Sequence, residues 1–273
     1  MRILSIQDIS CVGQCSLTVA LPVISAFGIE TSILPSAVLS THTGGFSGYT
    51  FRDLTEDIPK IKEHWQKEKI TFDAFYTGYV GNKKQIEYIF EVMEATKKDN
   101  SLFIVDPVMA DFGKLYDGFD NDFIVEMRKA VAKSDYVLPN VTEACFLSDF
   151  EYKDGVFTEK YVEDLICAVK ELGADKIVLK GISFDENTIG VAVYDGKKID
   201  YYLHEKINRR MHGTGDVFAS CFTGALLSGF SLYDSAKTAA DMTLKAIKST
   251  TDINHWYGVN FEKIIPDIVE LFR

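Results

Sequence analysis

Short runs rich in β-branched and aromatic residues alternate along the chain with longer stretches whose apolar residues recur every three or four positions. These are the side-chain periods of strands and helices. The pattern predicts strands over 2–7, 31–38, 72–77, 101–106, 135–138 and 176–180. It predicts helices over 16–27, 55–69, 83–97 and 120–133, one opening near 141, and others over 158–172, 215–228, 232–250 and 260–272. In the first helix Leu17, Ala20, Leu21 and Ile24 fall on one face, and Gly173 follows the 158–172 stretch where a C-cap is expected. Residues 188–195 and 198–204 flank Asp195-Gly196, a hairpin signal.

Strand–helix alternation of this kind predicts an α/β fold: a mainly parallel central sheet covered by helices on both faces, with the hairpin adding antiparallel edge strands. No internal repeat, low-complexity stretch or linker-like run interrupts it, so residues 1–273 read as a single domain. In such sheets ligands bind beyond the carboxyl ends of the strands. Chemistry is therefore sought just after each strand.

Composition narrows the partners. The net charge of −11 disfavours nucleic acid and anionic membrane surfaces. A phosphate-bearing ligand would then need a local cationic pocket or backbone donors. The five cysteines, Cys11, Cys15, Cys145, Cys167 and Cys221, are scattered and odd in number. They read as reduced, mostly buried thiols, which points to the cytoplasm. The opening Met1-Arg2-Ile3-Leu4-Ser5-Ile6-Gln7-Asp8 lacks the length of a signal peptide, and no run reaches membrane-span length.

Gly213-Thr214-Gly215-Asp216 opens the helix that continues through Phe222. Two glycines let the backbone approach a ligand, and the free N–H groups of a helix start favour an anion. Asp216 in the first turn sits beside that anion hole, as transfer of a phosphoryl group to an alcohol requires. The same four residues are equally consistent with a turn and a helix-capping Asp. Neither a GxxxxGK[ST] loop nor a GxGxxG fingerprint is present.

Taken in order, Ile3-Leu4-Ser5-Ile6-Gln7, His42-Thr43-Gly44, Gly78-Tyr79, Asp106-Pro107-Val108-Met109, Pro139-Asn140-Val141-Thr142-Glu143-Ala144, Leu179-Lys180-Gly181 and Gly213 to Asp216 resemble the ribokinase-like superfamily, and within it the vitamin B6 kinases. The set spans nearly the whole chain. The resemblance implies an ATP- and Mg2+-dependent kinase, with a monovalent cation such as K+ left open. The acceptor would be the 5′-hydroxymethyl of pyridoxal, pyridoxine or pyridoxamine, in pyridoxal 5′-phosphate salvage. A homodimer is expected on the same ground.

The resemblance makes Asp216 the catalytic base and places it against the substrate, with Gly213, Thr214 and Gly215 forming the anion hole. Asp106 follows a strand and precedes Pro107, which forces it into an extended conformation with its carboxylate past the strand end. The resemblance assigns Asp106 and Glu143 to the Mg-ATP environment, Asn140 to the phosphates and Asp111 to the cation. A turn-initiating Asp106, a helix-capping Asn140 and a solvated Asp111 remain the alternatives. Lys180, ending a strand, would reach a nucleotide phosphate, and Lys206 would lie near the nucleotide. Arg209, Arg210 and His212 add a basic cluster upstream of Gly213.

On the acceptor side, the resemblance sets His42, Thr43 and Val38 against a pyridine ring, and Tyr79 as a stacking partner. One position departs from it. Many B6 kinases carry Ser after the Ile-Gln of the first strand, whereas this chain has Asp8. A carboxylate there would pair with a protonated ring nitrogen or an amine, tilting preference towards pyridoxamine.

Two alternatives stand beside this reading. A hydroxymethylpyrimidine kinase shares the 139–144 and 180–181 stretches, but bacterial members typically carry Cys where Asp216 stands. A non-catalytic vitamin- or nucleotide-binding protein on the same fold is the other.

Overall fold

The computed structural model describes residues 1–252 and 254–272. In chain order the elements are β1 (Arg2–Val12), α1 (Leu17–Ala26), β2 (Glu30–Thr41), β3 (Phe51–Asp53), α2 (Ile58–Lys67), β4 (Phe72–Thr77), α3 (Lys83–Thr96), β5 (Lys97–Val105), β6 (Ala110–Asp111), β7 (Lys114–Leu115), α4 (Asn121–Lys133), β8 (Tyr136–Val137), α5 (Val141–Ser148), α6 (Glu159–Lys170), β9 (Ile177–Ile182), β10 (Thr188–Tyr194), β11 (Ile199–Glu205), α7 (Thr214–Leu227), α8 (Leu232–Ser249) and α9 (Ile265–Glu270). The nine-stranded sheet runs β11-β10-β9-β8-β5-β4-β1-β2-β3. From β2 through β9 the neighbours are parallel, while β3, β10 and β11 are antiparallel additions. This is the mixed, mostly parallel sheet with antiparallel edge strands expected from the alternation.

The strands alternate their side chains between two cores, as a pleat covered on both faces must. Leu4, Ile6, Phe75, Phe103, Val105 and Leu179 pack with α2 to α6 on one face. Ile3, Ala74, Tyr76, Ile104 and Val178 pack with α1, α7, α8 and α9 on the other. All these side chains are excluded from water, which supplies the main drive to fold.

Several predicted details change. Val19 and Val23 join Leu17, Ala20 and Ile24 in the buried face of α1, while Leu21 is exposed. β1 and β2 run on to Val12 and Thr41, past the predicted ends. The stretch 260–272 is a single turn of 3-10 helix at Phe261–Ile264 followed by short α9, because Pro266 cannot sit inside a longer helix. Cys145 and Cys221 are buried, but Cys11 and Cys167 are exposed and Cys15 is half-buried, so the thiols are free yet not mostly buried. Among the described residues no helix is long and apolar enough to cross a membrane.

Helix starts divide into two kinds. Asn82, Asp120, Asn140, Thr158 and Ser231 cap α3, α4, α5, α6 and α8 with their side chains. α1, α2, α7 and α9 have no side-chain cap; α2 and α9 continue from 3-10 turns, whereas α1 and α7 start from loops. Their loops pack against each other at the carboxyl edge of the sheet, where Gly213 abuts Gln14.

Candidate active site

The late glycine motif folds as an open helix start. Gly213 takes φ 78° and its carbonyl accepts from Val217 N–H at 3.0 Å. Among the described residues no carbonyl or side chain accepts from the N–H groups of Thr214, Gly215 and Asp216. Such amides at a helix N-terminus form a ready anion site. Asp216 sits in this first turn, and Ser16 N–H from the α1 loop is directed at its carboxylate. Burial, then the charges of Asp106 and Asp8, push the carboxyl up to about 7, against the pull of Ser16 N–H and Lys180.

Next to it, across the ends of β5 and β9, Lys180 Nζ donates to Asp106 Oδ1 at 2.6 Å. The Asp106 side chain is 1% exposed and that of Lys180 13%. Burial raises the Asp106 carboxyl and the Lys180 ammonium opposes it; Asp106 and Glu143 hold the ammonium charged against its own burial.

Asn140 and Glu143 form a capping box at α5. Asn140 Oδ1 accepts from Glu143 N–H at 2.8 Å, and Glu143 Oε2 accepts from Asn140 N–H at 2.7 Å. Asn140 Nδ2 donates to Ala110 O at 2.9 Å, leaving one amide hydrogen for a ligand. The capping alternative is thus realised at Asn140. Glu143 is buried, and its carboxyl is pushed up to about 8 by burial first, with Asp106 adding to the rise and Lys180 opposing it.

Asp111 is half-buried at the tip of the β6–β7 hairpin, its Oδ1 accepting from Phe112 N–H at 2.9 Å. Burial raises it, with Lys180 and Arg210 pulling the other way. Arg210 lies over the Phe112 ring at 4.2 Å, so the loop before α7 meets this hairpin. Lys206 stands apart from the set. Its backbone N–H donates to Asn187 O at 2.7 Å and its side chain is in solvent.

On the β1–β2 side, Asp8 is 4% exposed and accepts from Ser10 Oγ at 2.9 Å. A register shift in the β1–β2 pairing lies at Asp8. Burial raises its carboxyl, while the Ser16 and Ser10 hydroxyls and His42 oppose the rise. The Asp8 charge adds to the rise that burial gives Asp216, Cys15 and Tyr79. Tyr79 is half-buried with its ring 5.5 Å from that of Phe119, and burial pushes its phenol up to about 12.

His42 Nδ1 accepts from Gly44 N–H at 3.1 Å, so the ring proton is on Nε2, which donates to Tyr257 O at 2.6 Å. Val38 is half-buried in β2, paired to Ile9 and Arg52, and Thr43 is exposed in the loop beyond it. The structure gives neither residue a contact to Asp8 or Asp216.

Parts of this site were not read from the sequence. The α1 loop, Gln14-Cys15-Ser16, carries the N–H aimed at Asp216; its place between a strand and a helix was the available signal. Burial, then the charges of Glu143, Asp111, Asp216 and Asp106, push the Tyr116 phenol up. The segment 254–262 holds the His42 loop through Tyr257 O and through Trp256, whose ring lies tilted 4.6 Å from that of Phe46, and it holds the α1 loop through Glu262, which accepts from Gln14.

Among the described residues no three His, Cys, Asp or Glu side chains form a ready metal cage. Glu143 spends both oxygens on backbone N–H groups and Asp106 is paired to Lys180. That donor set suits a hydrated Mg2+ carried in on phosphates, since this ion keeps several waters and takes few protein ligands.

Comparison with known proteins agrees with the geometry. The phosphomethylpyrimidine kinase family matches residues 37–260. A pyridoxal kinase from Lactobacillus plantarum superposes with a TM-score of 0.91 at 30% identity, over 99% of this chain and 97% of that one. A Bacteroides thetaiotaomicron protein described as a candidate phosphomethylpyrimidine kinase, in crystals with pyridoxal, gives 0.91 at 32% identity, over 98% and 95%. A hydroxymethylpyrimidine/phosphomethylpyrimidine kinase from Bacillus subtilis strain 168 is 27% identical over 86% of this chain and 83% of its own length. A match across most of the chain, joined to an open helix start with a carboxylate in its first turn, makes this protein a member of the phosphomethylpyrimidine kinase family, ribokinase-like kinases whose fold the pyridoxal kinases share.

Proposed function

We propose that the protein transfers the γ-phosphoryl group of ATP to the 5′-hydroxymethyl of a B6 vitamer, in pyridoxal 5′-phosphate salvage. The observation that carries this reading is the Asp216 carboxyl, raised to about 7 beside the unpaired amides at the start of α7. A group of that pKa takes a proton near neutral pH, and the amides stand where transferred charge develops.

In this reading the acceptor hydroxyl points at Asp216, which orients it and takes its proton. The N–H groups of Gly213 to Asp216 and the ammonium of Lys180 offset charge on the transferring group. Because the transition state is loose, positioning matters more than basicity. Asp106, Glu143 and Asp111 would hold the waters of Mg2+; the ion, when bound, neutralises phosphate charge. The free amide hydrogen of Asn140 and the ammonium of Lys206 are assigned to the nucleotide. His42, Thr43, Val38, Tyr79 and Asp8 line the acceptor side. The loop carrying Arg210 and the hairpin carrying Phe112 together exclude water from the phosphates.

The acceptor is argued from Asp216 and from relatives that are pyridoxal kinases or crystallise with pyridoxal. A hydroxymethylpyrimidine acceptor is the second reading, favoured by the name of the matching family and by the Bacillus subtilis relative. ADP release measured with pyridoxal, pyridoxine, pyridoxamine and hydroxymethylpyrimidine separates them. Turnover of the B6 vitamers at least tenfold above hydroxymethylpyrimidine supports the first; the reverse order replaces it with the second.

A further inference from the structure

Four loop segments meet around the His42 imidazole. The residue is buried, and its ring lies against the α1 loop, where a Cβ on Gly13 would sit 2.1 Å from Cδ2. From its own loop, Gly44 N–H donates to Nδ1 at 3.1 Å. Nε2 donates to Tyr257 O at 2.6 Å, which ties the loop after β2 to the segment 254–262. The loop before α7 joins through His212. Its ring centroid is 5.0 Å from that of His42, a Cβ on Gly44 would lie 2.5 Å from its Cε1, and its carbonyl accepts from Val259 N–H at 3.1 Å. Trp256 also packs on the His42 loop, so near Gly45 that a Cβ there would lie 2.9 Å from its ring.

These bonds require a neutral imidazole. Gly44 N–H needs a lone pair on Nδ1. A proton on Nδ1 places one donor opposite another. With Nε2 already donating to Tyr257 O, the ring then has no acceptor left for Gly44. Around the ring, β1 brings Asp8, whose charge favours a His42 cation. The loop before α7 brings His212, whose own imidazole is held below the usual histidine range by burial and by His42. The segment 254–262 brings the Tyr257 carbonyl, with the His255 ring 4.3 Å from that of Tyr257. The α1 loop and the His42 loop bring Gly13 and the Phe46 ring.

We propose that His42 is the pin of an acid-released latch: neutral, it holds the loop after β2 against the segment 254–262, and protonated, it lets that loop open. Histidine is the side chain that changes charge in mild acid. The latch stands on its own contacts, whereas its bearing on the acceptor rests on the functional reading above. Acceptor affinity should fall in acid by roughly two- to tenfold, the range that one hydrogen bond covers.

The chain has two tryptophans, Trp65 and Trp256, so Trp65→Phe leaves Trp256 as the reporter of the latch. Acrylamide quenching of the ligand-free protein is followed from pH 8 to pH 5 in this background, alone and with His42→Gln or His212→Asn. Circular dichroism verifies that each protein stays folded. The proposal expects quenching to rise at least 1.5-fold as pH falls. His42→Gln should abolish the step, and His212→Asn should move its midpoint to higher pH, because a competing positive charge is gone. No rise, or the same rise in His42→Gln, would overturn the latch. Should His42→Gln fail to fold, a midpoint unmoved by His212→Asn would overturn it.

Calorimetric dissociation constants for pyridoxine at pH 7.5 and 5.5 test the link to the acceptor. The ligand's own titration is common to wild type and His42→Gln and cancels between them. The loss of affinity in acid should be at least twofold greater in the wild type, and equal losses would overturn the link. If the quenching step is present but no B6 vitamer is turned over, the functional reading fails and the latch stands. If vitamers are turned over and the step is absent, the latch alone fails.

Discussion

Gly213 stands so close to Gln14 that a Cβ on it would lie 1.7 Å from the Gln14 carbonyl oxygen. This contact joins the loop that starts α1 to the loop that starts α7. It therefore sets both the Ser16 N–H aimed at Asp216 and the free amides of Thr214 to Asp216. The same glycine sits at φ 78°, a left-handed conformation that costs other residues about 1 kcal/mol or more.

Gly213→Ala should therefore damage catalysis more than folding. The added methyl meets backbone rather than a flexible side chain, so one loop must move. We expect kcat to fall about a hundredfold, since small misplacements at a reacting centre have costs of that size. The thermal midpoint should fall by only several degrees. Paired kinetics and thermal denaturation check this; kcat within twofold of wild type would contradict it.

Lys180→Met should destabilise the protein by about 3–5 kcal/mol, because it leaves Asp106 buried without its partner. Adding Asp106→Asn removes the stranded charge, so the double variant should regain much of the stability and none of the activity. Urea denaturation of the single and double variants reads the first part, and ADP release the second. Additive losses of stability would speak against the pair.

The rate should depend on pH through Asp216. A base must be unprotonated to accept the hydroxyl proton, and this carboxyl lies near 7. We expect kcat/KM for the acceptor to rise between pH 6 and 8 and then level. A profile flat from 6 to 8 would exclude a carboxyl of this kind from the rate.

Stability should move in the opposite direction. Glu143 is raised to about 8 by burial, above an unfolded value of about 4.3. Between these values the folded state binds more protons than the unfolded state, so stability falls as pH rises through the window. Asp216 adds to the same trend. The thermal midpoint of the ligand-free protein should be higher at pH 6 than at pH 8, and Glu143→Gln should shrink that difference. A difference unaffected by the substitution would mean that Glu143 is not the titrating group.

The strand–helix order was legible because both faces of the sheet are covered, so period-2 and period-3.6 patterns stay distinct. Asp106, Glu143 and Asp216 could be picked out because each follows a strand or opens a helix. Their mutual arrangement could not be read. Lys180 and Asp106 are 74 positions apart and meet only because β8 brings β5 and β9 together. The 3-10 turn before α9 had a visible signal in Pro266, which the apolar spacing overrode. The clamp on His42 had none, since Tyr257 acts there through a backbone carbonyl. β3, β6 and β7 are two or three residues long, too short for an alternating pattern to register.

The central claim is that Asp216 takes the proton of the acceptor hydroxyl. Asp216→Asn keeps the shape of the side chain and removes its basicity. The account predicts that kcat with pyridoxine falls by about 10²–10⁴-fold while the dissociation constant for Mg-ATP changes less than threefold. A kcat within tenfold of wild type, with Mg-ATP binding intact, would contradict it.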